Sequence, residues 1–198
     1  NLKSGGRLST ILDELEMAGF IEAYSPVHNP NSRSQRYRIS DPFIRFHFKY
    51  IEPAKEQLTS GRKVLPLHMA LPEQSYRVFL GLAFEQFCQK HAHIIATKLG
   101  FSAVKYTAGA WFKRGEQHKG AQIDLLFKRA DKVLTLVEVK FREKIDNKVI
   151  TQVEDKIDVL RDEFHCSIEP VLLTVKRPHD SLYEEGYFSQ ILTIDDLL

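Results

Sequence analysis

The sequence predicts an α/β fold, a mixed sheet with helices on both sides, and three observations lead there. From residue 74 onward, apolar patterning switches between helical and strand periods in the order α-β-β-β-α-β. The run at 171–175, Val-Leu-Leu-Thr-Val, is apolar almost throughout, as a buried parallel-type strand requires. Ahead of both, one amphipathic helix leads into a β-hairpin pattern within the first 40 residues, which is the back half of a winged helix-turn-helix.

In the first segment Leu8, Ile11, Leu12, Leu15 and Ala18 recur at helical spacing, and Gly19 stands where a helix C-cap needs φ > 0. Strands are predicted at 20–24 and 35–39, with a polar, turn-rich loop between them. Ser40-Asp41-Pro42 then reads as a helix start, a polar N-cap before a proline at the first helical position. The helix it opens carries Phe43, Ile44, Phe46, Phe48, Tyr50 and Ile51, aromatic nearly all round, and suits a buried connector that Pro53 closes. This gives a partial winged helix and connector over 1–52 and a linker over 53–74. An α/β domain follows over 75–198.

That domain should open with one long helix from 74 to about 99, ending at Gly100. Strands are predicted at 103–113, 121–128 and 133–141, a helix at 149–164, and strands at 171–175 and 188–193.

Composition bounds the function classes. With 43% hydrophobic and 27% charged residues the chain is ordinary globular material. No apolar run approaches the roughly 20 residues that span a bilayer, and residues 1–6 show no signal-peptide core, so the expected location is cytoplasmic without membrane contact. Cys88 and Cys166 lie apart without a Cys-x-x-Cys spacing, which suggests neither a disulfide framework nor a zinc site. No Ser/His/Asp arrangement stands out, so covalent catalysis is unsupported. Charge is segregated: residues 101–148 hold 11 Lys/Arg against 6 Asp/Glu, whereas 149–198 hold 4 against 11. A basic stretch suits a polyanionic substrate; a solvated surface without a partner gives the same count.

The chemistry concentrates in that basic stretch. Glu138 and Lys140 are two apart on one predicted strand and share a face, while Val137, Val139 and Phe141 point the other way. Asp124 precedes Glu138 by 14 residues, which lets a strand, a turn and a second strand bring its side chain opposite theirs. Two carboxylates so placed suit Mg²⁺ or Mn²⁺, and an adjacent lysine can steady developing negative charge. A Glu-x-Lys pair on a strand is also a common solvated face with a weak ion pair. Trp111, Phe112, Lys113 and Arg114 form an aromatic and basic edge that can clamp nucleic acid, although Trp111 fits a core position better. In a winged helix, Lys3, Ser4 and Arg7 would face a DNA groove and Arg33, Arg36 and Arg38 of the wing would meet phosphates. Asp13, Glu14 and Glu16 on the same helix oppose that contact and equally suit a protein-contact module.

Ile123-Asp124-Leu125-Leu126 followed by Val137-Glu138-Val139-Lys140-Phe141 resembles the D…E-x-K signature of the PD-(D/E)XK, or restriction-endonuclease-like, superfamily. That resemblance implies Asp124, Glu138 and the carbonyl of Val139 as metal ligands and Lys140 as catalytic. Glu85 resembles the helical glutamate of the RecB-like and Holliday-junction-resolvase branches, and Gln152 the glutamine of their following helix, implying a catalytic role for both. Those branches often carry a tyrosine four residues after the glutamine, where this chain has Lys156. Across nearly its whole length the chain is also similar to the C-terminal half of archaeal-type AAA+ ATPases, with their partial winged helix, the stretch Tyr37 to Phe46, the Glu85 helix and the nuclease-like core in that order. This implies an ATP-binding P-loop domain as a partner in the full-length protein, although no G-x-x-x-x-G-K-[ST] motif lies in these residues. The expected function is a divalent-metal-dependent DNA nuclease module of a larger ATPase, with Mg²⁺ or Mn²⁺ as cofactor. The alternative is a catalytically inactive nuclease-like domain that binds DNA or regulates the ATPase, and self-assembly into a homo-oligomer stays open.

Overall fold

The computed structural model describes residues 6–25, 27, 36–60, 71–113 and 120–198. The chain divides into two compact units, Asn1–Ser25 with Asn31–Phe79, and Pro26–Pro30 with Leu80–Leu198.

In the first unit helix α1, Gly6–Met17, ends as its glycine predicts. Gly19 takes φ 76°, and the Phe20 N–H reaches back to the Leu15 carbonyl at 3.0 Å, closing a Schellman turn. Strands β1, Ile21–Tyr24, and β2, Arg36–Ile39, pair antiparallel. Helix α2, Pro42–Phe46, is capped by Asp41, whose carboxylate accepts the Phe43 N–H at 2.8 Å.

Two expectations for the connector fail. Pro53 does not close the helix, because a π turn over His47–Ile51 leads directly into α3, Glu52–Thr59. In that turn the Glu52 N–H bonds the His47 carbonyl, five residues back, so the hydrogen-bond ladder is offset and Pro53 enters a first turn that needs no donor from it. The connector is also not buried all round: Phe43 and Phe48 are 62% and 65% exposed. Phe46 and Tyr50, one turn apart, share the packed face, with ring centroids 5.6 and 6.0 Å from that of Phe79.

The second unit has the mixed α/β architecture that the sequence predicts. Its sheet runs β3 (Tyr106–Lys113), β4 (Ala121–Arg129), β5 (Val133–Lys140), β6 (Ser167–Thr174) and β7 (Gln190–Thr193), in that spatial order. The first three strands are antiparallel neighbours, and β5, β6 and β7 pair in parallel. The expected long helix is two, α4 (Glu73–Lys90) and α5 (Ala92–Lys98), broken where His91 leaves helical geometry at ψ 25°. Gly100 ends α5 at φ 81°, with Phe101 N–H on the Ala96 carbonyl at 3.1 Å. Helix α6, Lys148–Arg161, joins β5 to β6. The short helix α7, Ser181–Glu184, precedes β7.

The sheet separates two cores. Phe84, Cys88 and Ile95 of α4 and α5 pack with Leu125, Val137, Val139 and Leu173. Trp111, Ile123, Leu126 and Leu136 pack with Val153, Ile157 and Leu160 of α6. Trp111 is fully buried, which makes it a core residue and removes it from any clamp. No helix among the described residues is long and apolar enough to cross a membrane.

Candidate functional site

Strand β4 carries a bulge at the candidate aspartate. Ile123 pairs with Trp111 and Leu126 with Gly109, so Asp124 and Leu125 together oppose the single residue Ala110. The extra residue breaks strict alternation: Ile123 and Leu126 enter one core, Leu125 and Phe127 the other, and Asp124 sits at the interruption. Bulges of this kind re-aim a side chain and end regular pairing. The register with β5 agrees, since paired residues run from Lys128 with Leu134 only as far as Leu125 with Val137. Beside the bulge, Gln89 of α4 donates to the Asp124 carbonyl at 2.6 Å.

Glu138 is the most buried charge of the group, at 1% exposure, and a carboxylate taken out of water must be paired. Both of its oxygens are. Lys140 Nζ lies 2.7 Å from Oε1 and Lys156 Nζ lies 2.6 Å from Oε2. Lys140 also donates to Gln152 Oε1 at 3.1 Å. Because α6 buries Val149, Val153, Ile157 and Leu160, Gln152 and Lys156 fall one turn apart on an adjoining stripe that meets the end of β5.

Burial lifts two further carboxyls. Asp124 is raised to about 6, first by burial and then by the Glu138 charge, against the pull of Lys156, Lys140 and the Val139 N–H. Glu85, on α4, is raised to about 7, chiefly by burial, with Asp124 and Glu138 adding to it. The same desolvation, with Asp124 and Glu85 close by, pushes the Cys88 thiol up and keeps it protonated. Asp124, Glu138, Lys140, Gln152 and Glu85 thus act on one another within a single region.

Asp124 and Glu138 are carboxylates of the type that could hold a hard divalent cation, and its charge would offset the Glu138 repulsion that, after burial, helps to raise Asp124. Among the described residues no group of three or more His, Cys, Asp or Glu is arranged to hold a metal, so water would fill much of the shell.

The candidate nucleic-acid contacts are divided between the two units. Lys3, Ser4, Arg33 and Arg114 lie outside the described residues. Arg7 is exposed on α1, and Arg36 stands at the start of β2, partly buried. Arg38 is ion-paired across the hairpin with Glu22 and stacks on the Tyr24 ring at 5.2 Å. Lys113 pairs with Glu163 at 3.4 Å. Reading the sequence residue by residue missed Lys156 and Gln89 as parts of the site. Their one signal is spacing, each standing one helical turn beyond a candidate, Gln152 and Glu85 respectively.

Residues 47–153 match the family DUF234, described as "Archaea bacterial proteins of unknown function". The chain belongs to this family. The DUF234 match takes in Glu85, Asp124, Glu138, Lys140 and Gln152, and it stops three residues before Lys156. The uncharacterized protein MJECL04 of Methanocaldococcus jannaschii is 31% identical over 146 residues, covering 72% of this chain and 31% of that protein. The chain therefore spans about a third of the length of this curated relative. A crystal structure of protein VC1899 from Vibrio cholerae aligns with a TM-score of 0.42 at 11% identity, over 98% of this chain and 40% of that one.

Proposed function

We propose that the second unit is a divalent-metal-dependent nuclease module that hydrolyses DNA phosphodiesters, with Asp124 and Glu138 as metal ligands and Lys140 as the catalytic lysine. The observation that carries this reading is a buried Glu138 in direct contact with Lys140, beside an Asp124 carboxyl that burial and the Glu138 charge hold up at about 6. Acidic ligands held in a half-dry site at the cost of mutual repulsion are a common signature of a functional centre. Bound Mg²⁺ or Mn²⁺ would polarise a phosphoryl oxygen and lower the pKa of a water.

The protein's own groups then have separable tasks. Lys140, oriented by its bond to Gln152, places an ammonium where negative charge develops. Glu85, near 7, exchanges a proton close to neutral pH. The attached P-loop ATPase and the winged-helix contribution to DNA binding rest on the family resemblance and belong to the same proposal.

One observation favours a second reading. Lys156 occupies the second oxygen of Glu138, so the carboxylate is satisfied without a metal, as in a nuclease-like domain retained for DNA binding or for regulating the ATPase. Incubating the purified chain with single-stranded, duplex and branched DNA under Mg²⁺, Mn²⁺ or EDTA separates the two. The nuclease reading expects cleavage that EDTA stops and that Asp124→Ala and Lys140→Ala each reduce by roughly a hundredfold or more. Binding without cleavage under every metal supports the second reading.

A further inference from the structure

Four side chains form an open chain at the end of β5: Gln152 accepts from Lys140, Lys140 meets one oxygen of Glu138, and Lys156 meets the other. The two lysines are held differently. Lys140 shares a strand with Glu138 and has a second bond to Gln152. Lys156 projects from α6, and its one direct polar partner among the described residues is Glu138. Lys156 is therefore singly tethered, at the end of a flexible four-carbon stem that is 20% exposed.

Charge counting shows what this tether does. With Glu85, Asp124 and Glu138 all ionised, three negative charges face the two ammoniums of Lys140 and Lys156, which already answer most of the charge a cation would meet. A divalent cation would bring two further positive charges into a partly desolvated site, and close like charges in such a setting repel strongly. An ammonium has to leave the carboxylate oxygen that an ion would use, and the singly tethered one leaves at least loss.

Resting on the metal reading above, we infer that Lys156 is a built-in competitor for the cation: it closes the Glu138 carboxylate in the metal-free protein and is displaced when a divalent ion binds. The displaced ammonium stays on α6, within reach of the same pocket, where the anionic phosphodiester of a substrate is its natural next partner.

The test uses Mn²⁺ itself. Titration calorimetry on the wild-type chain, Lys156→Met and Lys156→Gln should show Mn²⁺ binding at least about tenfold tighter in both variants, because the ion no longer competes with an ammonium. Site-resolved acylation of wild-type lysines, read by peptide mass spectrometry, should show Lys156 protected without metal and labelled faster with Mn²⁺. This second measurement needs no variant to fold. Equal or weaker Mn²⁺ affinity in the variants, or Lys156 labelling indifferent to Mn²⁺, overturns the inference and leaves the metal site standing. If neither wild type nor variants bind Mn²⁺ at millimolar concentration, the metal reading itself fails and this inference with it.

Discussion

Asp124 and Glu85 fix the sign of one pH dependence. Both carboxyls stand above their ordinary values in the folded chain, Asp124 at about 6 and Glu85 at about 7, with burial as the leading cause. Between about pH 4 and pH 7 the folded protein therefore keeps protons that the unfolded chain has released, and stability from these groups falls as pH rises through that window. In EDTA, wild type should lose on the order of 1 kcal/mol between pH 5 and pH 7.5 on their account. The figure is kept below the full linkage value because both side chains are partly exposed. Asp124→Asn removes one of the two protons, so its stability, followed by urea denaturation at each pH, should vary less steeply. An identical slope in wild type and variant would show that Asp124 is not held up by its surroundings. At this scale the sequence disclosed the residue types and left out their environment. The Glu-x-Lys spacing was enough to put Glu138 and Lys140 on one face, whereas the ion pair with Lys156 depends on how α6 lies against β5.

Helix and strand ends were legible wherever a single residue decides the backbone. Gly19 and Gly100 both take positive φ and close Schellman turns, and Asp41 caps α2, because each effect is set within a few residues. Gly100 offers a clean test. A Cβ built there meets nothing within 4 Å, so Gly100→Ala adds no clash and reports backbone strain alone. It should lower stability by about 1 kcal/mol, seen as a lower urea midpoint at unchanged m-value. An unchanged midpoint would mean that the helix end relaxes out of the left-handed region. The elements that escaped the sequence depend on partners. The bulge at Asp124 and Leu125 exists only against Ala110 of β3, and the π turn before Pro53 only through a hydrogen bond that periodicity does not reveal. The break at His91 likewise interrupts an apolar repeat that continues through it. A bulge matters most here, since it sets the candidate aspartate outside the regular alternation.

Over the second unit as a whole, folding re-mixes the charges that the sequence segregates. The acidic 149–198 segment turns back onto the basic 101–148 segment: Lys113 meets Glu163 at 3.4 Å and Arg129 meets Glu169 at 2.8 Å. Counting lysines and arginines along the chain therefore overstates the charge offered to a polyanion, because several are already answered by carboxylates. The consequence is measurable through counterion release, in which each phosphate neutralised steepens log K against log salt by about 0.9 for duplex DNA. Glu163→Gln frees Lys113, 36% exposed on β3, from its carboxylate partner. On the nuclease reading this variant should bind duplex more tightly at low salt, with a salt slope steeper by about 0.9, one further phosphate contact. The duplex should be titrated by fluorescence anisotropy at several salt concentrations, in EDTA so that binding is read without cleavage. A slope equal to that of wild type would place Lys113 outside the DNA path and confine the anion-facing charge to the lysines around Glu138.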